Sequence, residues 1–351
     1  MKAALFYGGP DIRVEELPRP EPGPGEVLVR VRAAGICGSD LHPYRRPRPE
    51  PPGPGRQNGH ELCGVVAEVG RGVAGFTVGQ RVGIEPEHLI GCGACRSCLR
   101  GDTHLCPDRG RRHGERHGSQ GFSEYDVCVA SNVHALPDGV SDEAAAILDC
   151  YACAVHAVRR APVAPYATAV VIGTGAIGMN VGQVVRARGA ARVVMVGTRP
   201  QPLEIARAAG AADEGVAGSE GDPVQAVLDL TGGEGADVVY ETVGGDAPTL
   251  DQAIQMARRG GTVCVMGIFT TPPALDERTA YRKELTIAWC NSYSKWDGVS
   301  EYKIALDLLA SGRIRAEPLI THHFPLEKIG EAFAAANDKR ASGAIKVLVH
   351  P

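Results

Sequence analysis

Ala169-Val-Val-Ile-Gly173-Thr-Gly175-Ala-Ile177-Gly178 decides how this chain is read. Four apolar residues run into a G-x-G-x-x-G turn, and a helix-forming segment follows, which is the pattern of a buried strand feeding a helix. Gly173 permits the tight turn, Gly175 lets backbone come close to a pyrophosphate, and Gly178 lets the helix lie against the strand. The helix that begins around Ile177 would offer its N–H groups and positive dipole end to phosphate. The expectation is a dinucleotide site on Gly173, Gly175, Ile177 and Gly178.

From residue 169 to about residue 268 the apolar runs AVVIG, ARVVMVG, ADVVYETVG and GTVCVMGIF alternate with amphipathic segments. That rhythm predicts a Rossmann doubly wound parallel sheet with crossover helices. Its second strand ends unusually. An NAD site normally carries Asp or Glu there, accepting from the adenosine ribose. This chain has Val196-Gly197-Thr198-Arg199-Pro200, with Gly197 in the acidic position. Loss of an anion beside Thr198 and Arg199 suits a 2′-phosphate, so NADP is expected, with NAD as the alternative beside a solvated Arg199.

Before this region, the first 150 residues read as short strands and loops, including EVLVRVRAAG, GVVAEVG and a Pro- and Arg-rich loop from Arg45 to Gly55. Ser141 opens SDEAAAILDCYACAVHAV, which reads as one helix with a Ser N-cap and an acidic first turn. Beyond the parallel sheet come helices near Glu301–Ser311 and Leu326–Asn337. The strand AIKVLVH then ends the chain and is expected to pair back onto the N-terminal domain. The expected division is therefore α/β, with residues 1–152 and 292–351 forming one discontinuous domain and residues 153–291 the dinucleotide-binding domain.

Cys92, Cys95, Cys98 and Cys106 lie in GCGACRSCLRGDTHLC, separated by two, two and seven residues. Four thiolates within one short loop make a closed tetrahedral Zn²⁺ site with no position left for water or substrate, hence a structural one. Paired disulfides are the alternative, but no apolar signal core precedes the cysteines, and the eleven cysteines are odd in number. A second constellation comprises Cys37 in GICGSDLH, His60 and Glu61 in NGHELCG, and Asp149 in AILDCYACAVH. A thiolate, an imidazole and one or two carboxylates can hold zinc while leaving a place for substrate. Each of these residues alone is ordinary, and a lone His after Gly is commonly structural.

The pieces GICGSDLH, GHELCGVVAEVG, GCGACRSC…C, GFSEY at Gly121–Tyr125 and VVIGTGAIG together resemble the zinc-containing medium-chain dehydrogenases, the superfamily of alcohol, sorbitol and threonine dehydrogenases. The resemblance covers nearly the whole chain. It implies a GroES-like β-barrel catalytic domain beside the Rossmann domain, two zincs per subunit, and hydride transfer between NAD(P) and an alcohol. By the same resemblance Cys37 and His60 bind the catalytic zinc, Glu61 can enter or leave its coordination, and Asp149 reaches it directly or through water. Ser39 and His42 resemble a proton relay. Met266, Gly267 and Ile268 are expected to line the nicotinamide, with Cys290-Asn291 approaching the same ring. Cys150 and Cys153 are neighbouring alternatives to Asp149 that read more simply as apolar filler. Asp149 points to the polyol and threonine branch, hence to a secondary alcohol, a polyol or a 3-hydroxy amino acid such as threonine. A homo-oligomer, tetramer or dimer, follows from the family only.

Two rivals make different demands on the sequence. A zinc-free enoyl or quinone reductase of the same superfamily would lack Cys37, His60 and the four-cysteine loop. A non-enzymatic zinc scaffold for protein or nucleic acid would need a basic or aromatic face, whereas net charge is −4 and aromatic content 5%. No apolar run approaches the ~18 residues of a membrane span, so the cytoplasm is the default compartment and neither membrane nor nucleic acid is an expected partner. His113 and His117 read as parts of a solvated loop. Arg45, Arg46 and Arg48 read as a solvated face that could border a substrate mouth, and Trp289 and Trp296 as packing or interface residues.

Overall fold

The structure is a computed structural model that describes residues 1–47, 55–110 and 120–351; Arg48, His113 and His117 lie outside the described residues. In chain order the first part contains β1 (Lys2–Phe6), β2 (Ile12–Glu16), β3 (Glu26–Gly35), α1 (Gly38–Tyr44), β4 (Glu61–Val69) and β5 (Arg81–Ile84). There follow α2 (Arg96–Leu99), β6 (Tyr125–Val129), β7 (Val133–Ala135) and α3 (Asp142–Ala145). Next come α4 (Leu148–Arg160), β8 (Thr168–Ile172), α5 (Ala176–Ala187), β9 (Arg192–Gly197), α6 (Pro200–Ala208), β10 (Glu214–Ala217) and α7 (Pro223–Leu230). After them run β11 (Ala236–Glu241), α8 (Thr249–Met256), β12 (Ala257–Val265), α9 (Glu277–Arg282) and β13 (Thr286–Trp289). The last part holds β14 (Lys295–Trp296), β15 (Val299–Ser300), α10 (Glu301–Ala310), β16 (Ile320–Pro325), α11 (Ile329–Asn337), α12 (Lys339–Ser342) and β17 (Lys346–His350).

Two compact units emerge. One comprises Met1–Asp149, Ser294–Leu306 and Ile320–Pro351; the other comprises Cys150–Tyr293 and Asp307–Leu319. The second unit is a six-stranded sheet in the order β10-β9-β8-β11-β12-β13, parallel throughout. The order of succession reverses at β8, with β9 and β10 laid to one side and β11 to β13 to the other, so the crevice between β8 and β11 is a topological switch point, where open α/β sheets bind ligands. Val170, Ile172, Val194, Val196, Val239 and Val263 alternate into one apolar layer, covered by α7 and α8. Residues 307–319, which the sequence reading groups with the first domain, cluster with this unit. The backbone of Arg315 ties them there: its carbonyl accepts from Tyr151 Oη at 2.8 Å and Gln183 Nε2 at 3.0 Å.

The first unit is a seven-stranded sheet in which β16-β17-β3-β4-β5-β7 run in that order and β6 also pairs with β3. The C-terminal strand β17 pairs antiparallel with β3, so the end of the chain is built into the N-terminal sheet. α11 buries Ile329, Ala332, Phe333 and Ala336, the i, i+3, i+4, i+7 stripe of an amphipathic helix, against that sheet. Phe333 meets Phe6 at 5.3 Å and Phe122 at 5.7 Å between ring centroids, both edge-on.

The single helix read from Ser141 is two helices. Ser141 Oγ does cap the first, accepting from Ala144 N at 3.1 Å. Asp142, however, is held by the sheet: its carboxylate accepts from Arg81 Nε at 2.8 Å and its carbonyl from the Cys63 thiol at 2.8 Å. That pins α3 as a short turn, and α4 starts afresh at Leu148.

Candidate active site and metal centres

Cys37 caps the N-terminus of α1, and its own N–H donates to Asp40 Oδ2 at 2.8 Å, closing a capping box that fixes where the thiol sits. His60 is positioned by Gly59, whose φ of +104° and whose distance to Phe122 N, 2.8 Å from any Cβ added there, exclude a side chain. These two segments and the first residue of β4 bring one ligand atom each of Cys37, His60 and Glu61 within 4.8 Å of one another. Asp149 stands just outside this trio, with Oδ2 4.0 Å from His60 Nε2. That separation exceeds the ~3.3 Å between two donors bound at zinc–ligand distances, so direct ligation by Asp149 needs a small shift or an intervening water.

The electrostatics suit a cation. Burial alone would lower the His60 pKa, but charge and hydrogen bonding from Cys37, then Asp40 and Asp149, hold it well above the ordinary imidazole value. Asp40, buried and with its own pKa pushed up by that burial, lies 3.7 Å from His60 Nδ1. Asn58 Nδ2 donates to the same carboxylate oxygen at 2.9 Å. Asp40 thus faces Nδ1 while Asp149 faces Nε2, the arrangement in which a carboxylate orients an imidazole and leaves the other nitrogen for a metal. Soft thiolate, imidazole and carboxylate together form a donor set that zinc accepts.

Two residues that the sequence did not single out complete this centre. Asp40 was hidden inside GICGSDLH as an ordinary helix residue. Lys346, on β17, forms a buried ion pair with Glu61, at 3% and 1% exposure, and also donates to Ile36 O at 3.1 Å. No local signal in AIKVLVH marks that lysine; only the β17–β3 pairing places it there.

In the loop from Gly91 to Cys106 all four sulfurs lie within 4.8 Å of one another, with Cys92 Sγ and Cys98 Sγ 4.0 Å apart. Four sulfurs on a tetrahedral zinc stand ~3.8 Å apart, so the Cys92–Cys98 pair is close to coordination spacing. Cys92 accepts from Cys95 N at 3.3 Å, and backbone N–H groups of Ala94 and Cys95 lower its pKa to about 6. The thiolate is therefore available near neutrality. None of the eleven cysteines is in a disulfide.

At the switch point of the parallel sheet lies a cavity of about 650 Å³, lined by Gly173, Thr174, Gly175, Gly197, Thr198 and Ser219 among others. Gly173 has φ +118°, and a Cβ on Gly178 would run into the Gly173 carbonyl, so strand and helix are in backbone contact there. Ile177 and Gly178 belong to α5 and Arg199 is the N-cap of α6; none of the three lines the cavity. Gly197 has its own constraint: a Cβ there would stand 3.2 Å from Thr174 Oγ1 and closer still to the Thr174 methyl. An acidic residue at 197 therefore requires the side chain of the threonine inside the glycine motif to move. Ser219 was missed because it follows β10, a strand away in sequence, though its N–H donates to Thr198 O at 3.2 Å.

Met266 and Gly267 follow β12 and donate their N–H groups to Glu241 O at 2.8 and 3.2 Å. Ile268 next to them is 65% exposed. Cys290 N donates to Val265 O at 2.9 Å, and Asn291 is exposed. Ser39 and His42 lie three residues apart on α1, hence on one face, Ser39 exposed and His42 half-buried. Cys150 is buried and Cys153 half-buried on α4.

Residues 23–138 match the family model of the alcohol dehydrogenase GroES-like domain, and residues 176–311 match that of zinc-binding dehydrogenases. The chain belongs to the zinc-containing medium-chain dehydrogenase superfamily. This dehydrogenase is 32% identical to a sorbitol dehydrogenase of Halalkalibacterium halodurans, covering 98% of this chain and 97% of the relative. It is 34% identical to an L-threonine 3-dehydrogenase of Bacillus licheniformis, covering 95% and 94%. Among solved structures it resembles a Sinorhizobium meliloti protein of the zinc-binding dehydrogenase type, solved with NADP bound. That match has a TM-score of 0.86 at 30% identity and covers 100% and 99% of the two chains. The dehydrogenase is an NAD(P)-dependent oxidoreductase of the zinc type, and no helix among its described residues is long and apolar enough to cross a membrane.

Proposed function

We propose that this dehydrogenase oxidises a secondary alcohol, a polyol or a 3-hydroxy amino acid such as threonine, with NADP as hydride acceptor and NAD as the alternative. The observation that carries the reading is the gathering of Cys37, His60 and Glu61 beside the carboxylate of Asp149. Cys37, His60 and Glu61 would hold a catalytic zinc, with Asp149 approaching it, and Cys92, Cys95, Cys98 and Cys106 a structural one. Bound there, the catalytic zinc supplies Lewis-acid chemistry that makes an alcohol more acidic.

The chain's own residues do the rest. Ser39, two residues after Cys37, takes the alcohol proton, and His42, half-buried on the same helix face, passes it to solvent. Asp40 holds His60 with Nε2 free, and Lys346 holds Glu61 in place. The N–H groups at the start of α5 bind the pyrophosphate. Thr198 and Arg199 hold the 2′-phosphate, and Ser219, which lines the cavity with Thr198, adds to them. Met266, Gly267, Ile268, Cys290 and Asn291 line the nicotinamide. A reduced compartment, the cytoplasm, and a homo-oligomer complete the proposal; the gathering of Cys92, Cys95, Cys98 and Cys106 in metal-ligand spacing supports the former. The sorbitol and threonine dehydrogenases among the relatives support the substrate class.

Initial rates on sorbitol, L-threonine, other secondary alcohols and primary alcohols test the substrate class. The proposal expects kcat/KM on at least one secondary substrate to exceed that on every primary alcohol by ~10-fold or more, about 1.4 kcal/mol of transition-state discrimination. Preference for primary alcohols would overturn it. For the cofactor, Arg199→Ala should lower kcat/KM for NADP by ~10–100-fold and leave that for NAD unchanged, since a hydrogen bond to a charged group contributes ~1.5–3 kcal/mol. Equal effects on both cofactors would remove Arg199 from 2′-phosphate recognition. Cys98→Ser should remove one zinc per chain and make the 92–106 loop cleavable by trypsin at Arg96 or Arg100, while cofactor binding to the parallel-sheet unit persists.

A further inference from the structure

Three side chains on the first unit, distant in sequence, converge away from both cysteine-bearing centres. Glu143 lies on α3, His323 on β16 and His350 on β17, and one ligand atom of each falls within 4.8 Å of the others. His323 Nδ1 is 3.1 Å from His350 Nε2 and 3.5 Å from Glu143 Oε1. Donors bound at ~2.0–2.1 Å around a tetrahedral zinc stand ~3.3 Å apart, so both separations are those of ligands sharing one ion.

The tautomers agree. His350 Nδ1 lies 3.2 Å from the Arg32 carbonyl, which can only accept. Nδ1 therefore carries the proton, and the Nε2 lone pair is turned towards His323. A ligating histidine is typically oriented in this way, through a backbone carbonyl at its other nitrogen. The two rings stack at 5.4 Å and 21°.

We infer that Glu143, His323 and His350 form a third metal site, on the protein surface, for a borderline divalent ion such as Zn²⁺, Ni²⁺ or Cu²⁺. Two imidazoles and a carboxylate are the donor set these ions share, and solvent fills the remaining positions. The ion would tie β17 to β16 and α3, so its binding stabilises the folded first unit by mass action. The site has no part in the alcohol chemistry and stands whether or not that proposal is correct.

Protein already holding its tightly bound zinc is titrated with further Zn²⁺ by calorimetry, and separately with Ni²⁺ while the thermal midpoint is followed. The expected result is one additional, weaker equivalent that raises the midpoint. In His323→Gln or Glu143→Gln, both surface changes, affinity for that equivalent should fall by ~10-fold or more, with the tightly bound zinc content unchanged. Absence of the additional equivalent in the parent protein overturns the inference. So does an additional equivalent that binds the His323→Gln, Glu143→Gln double variant with parental affinity.

Discussion

Replacing Cys37 by serine is expected to lower turnover by ~10³-fold or more while the protein stays folded and loses one equivalent of zinc per chain. A hydroxyl is a far poorer zinc donor than a thiolate, and the several kcal/mol that a Lewis acid contributes to the chemical step would go with the metal. The fold should survive, because Cys37 is only half-buried and its helix-capping contact to Asp40 comes from the backbone N–H, which serine retains. The four-cysteine loop has its own donors and does not depend on Cys37. Zinc content by mass spectrometry, read beside kcat, separates the cases. Unchanged turnover in Cys37→Ser, with one equivalent of zinc per chain lost, would detach this centre from catalysis.

The largest effect on stability should come from Lys346→Met in protein freed of the catalytic-site metal, which removes the lysine cation from beside the buried Glu61 carboxylate. Breaking a buried pair on one side costs ~3–5 kcal/mol, because the remaining charge keeps its desolvation penalty and loses its partner. Adding Glu61→Gln to Lys346→Met should recover most of that loss, since a neutral amide has a much smaller penalty. Urea midpoints of the parent, Lys346→Met, Glu61→Gln and the double variant measure the cycle. Additive effects, with the double variant no more stable than Lys346→Met, would show that Lys346 acts through its contact with Ile36 O instead.

How much of this was legible in the sequence depends on the reach of each signal. The parallel sheet was, because strand, glycine turn and helix are adjacent in sequence and their periodicities differ. The four-cysteine loop was, because all its donors lie within one short stretch. Cys37, His60 and Asp149 carry no spacing that joins them, and it was the resemblance to a known superfamily that put them together. The break between α3 and α4 was not legible: Ala and Leu favour a continuous helix, and the Cys63 and Arg81 contacts that pin Asp142 come from other strands. Asp40, Lys346, Thr174 and Ser219 were missed for the same reason, since each acts on a partner supplied by the fold. Thr174 also changes the meaning of Gly197. Its side chain occupies the space an acidic residue would need, so converting the site towards NAD should require Thr174→Ala together with Gly197→Asp.

The most direct test of the central claim is the appearance of reduced nicotinamide when protein with its zinc counted is mixed with NADP, or NAD, and a panel of secondary alcohols, polyols and L-threonine. About two zincs per chain with steady turnover on a panel member is the predicted result. Protein that holds one zinc per chain and reduces neither cofactor with any member would contradict the assignment of Cys37, His60 and Glu61 as a catalytic metal centre.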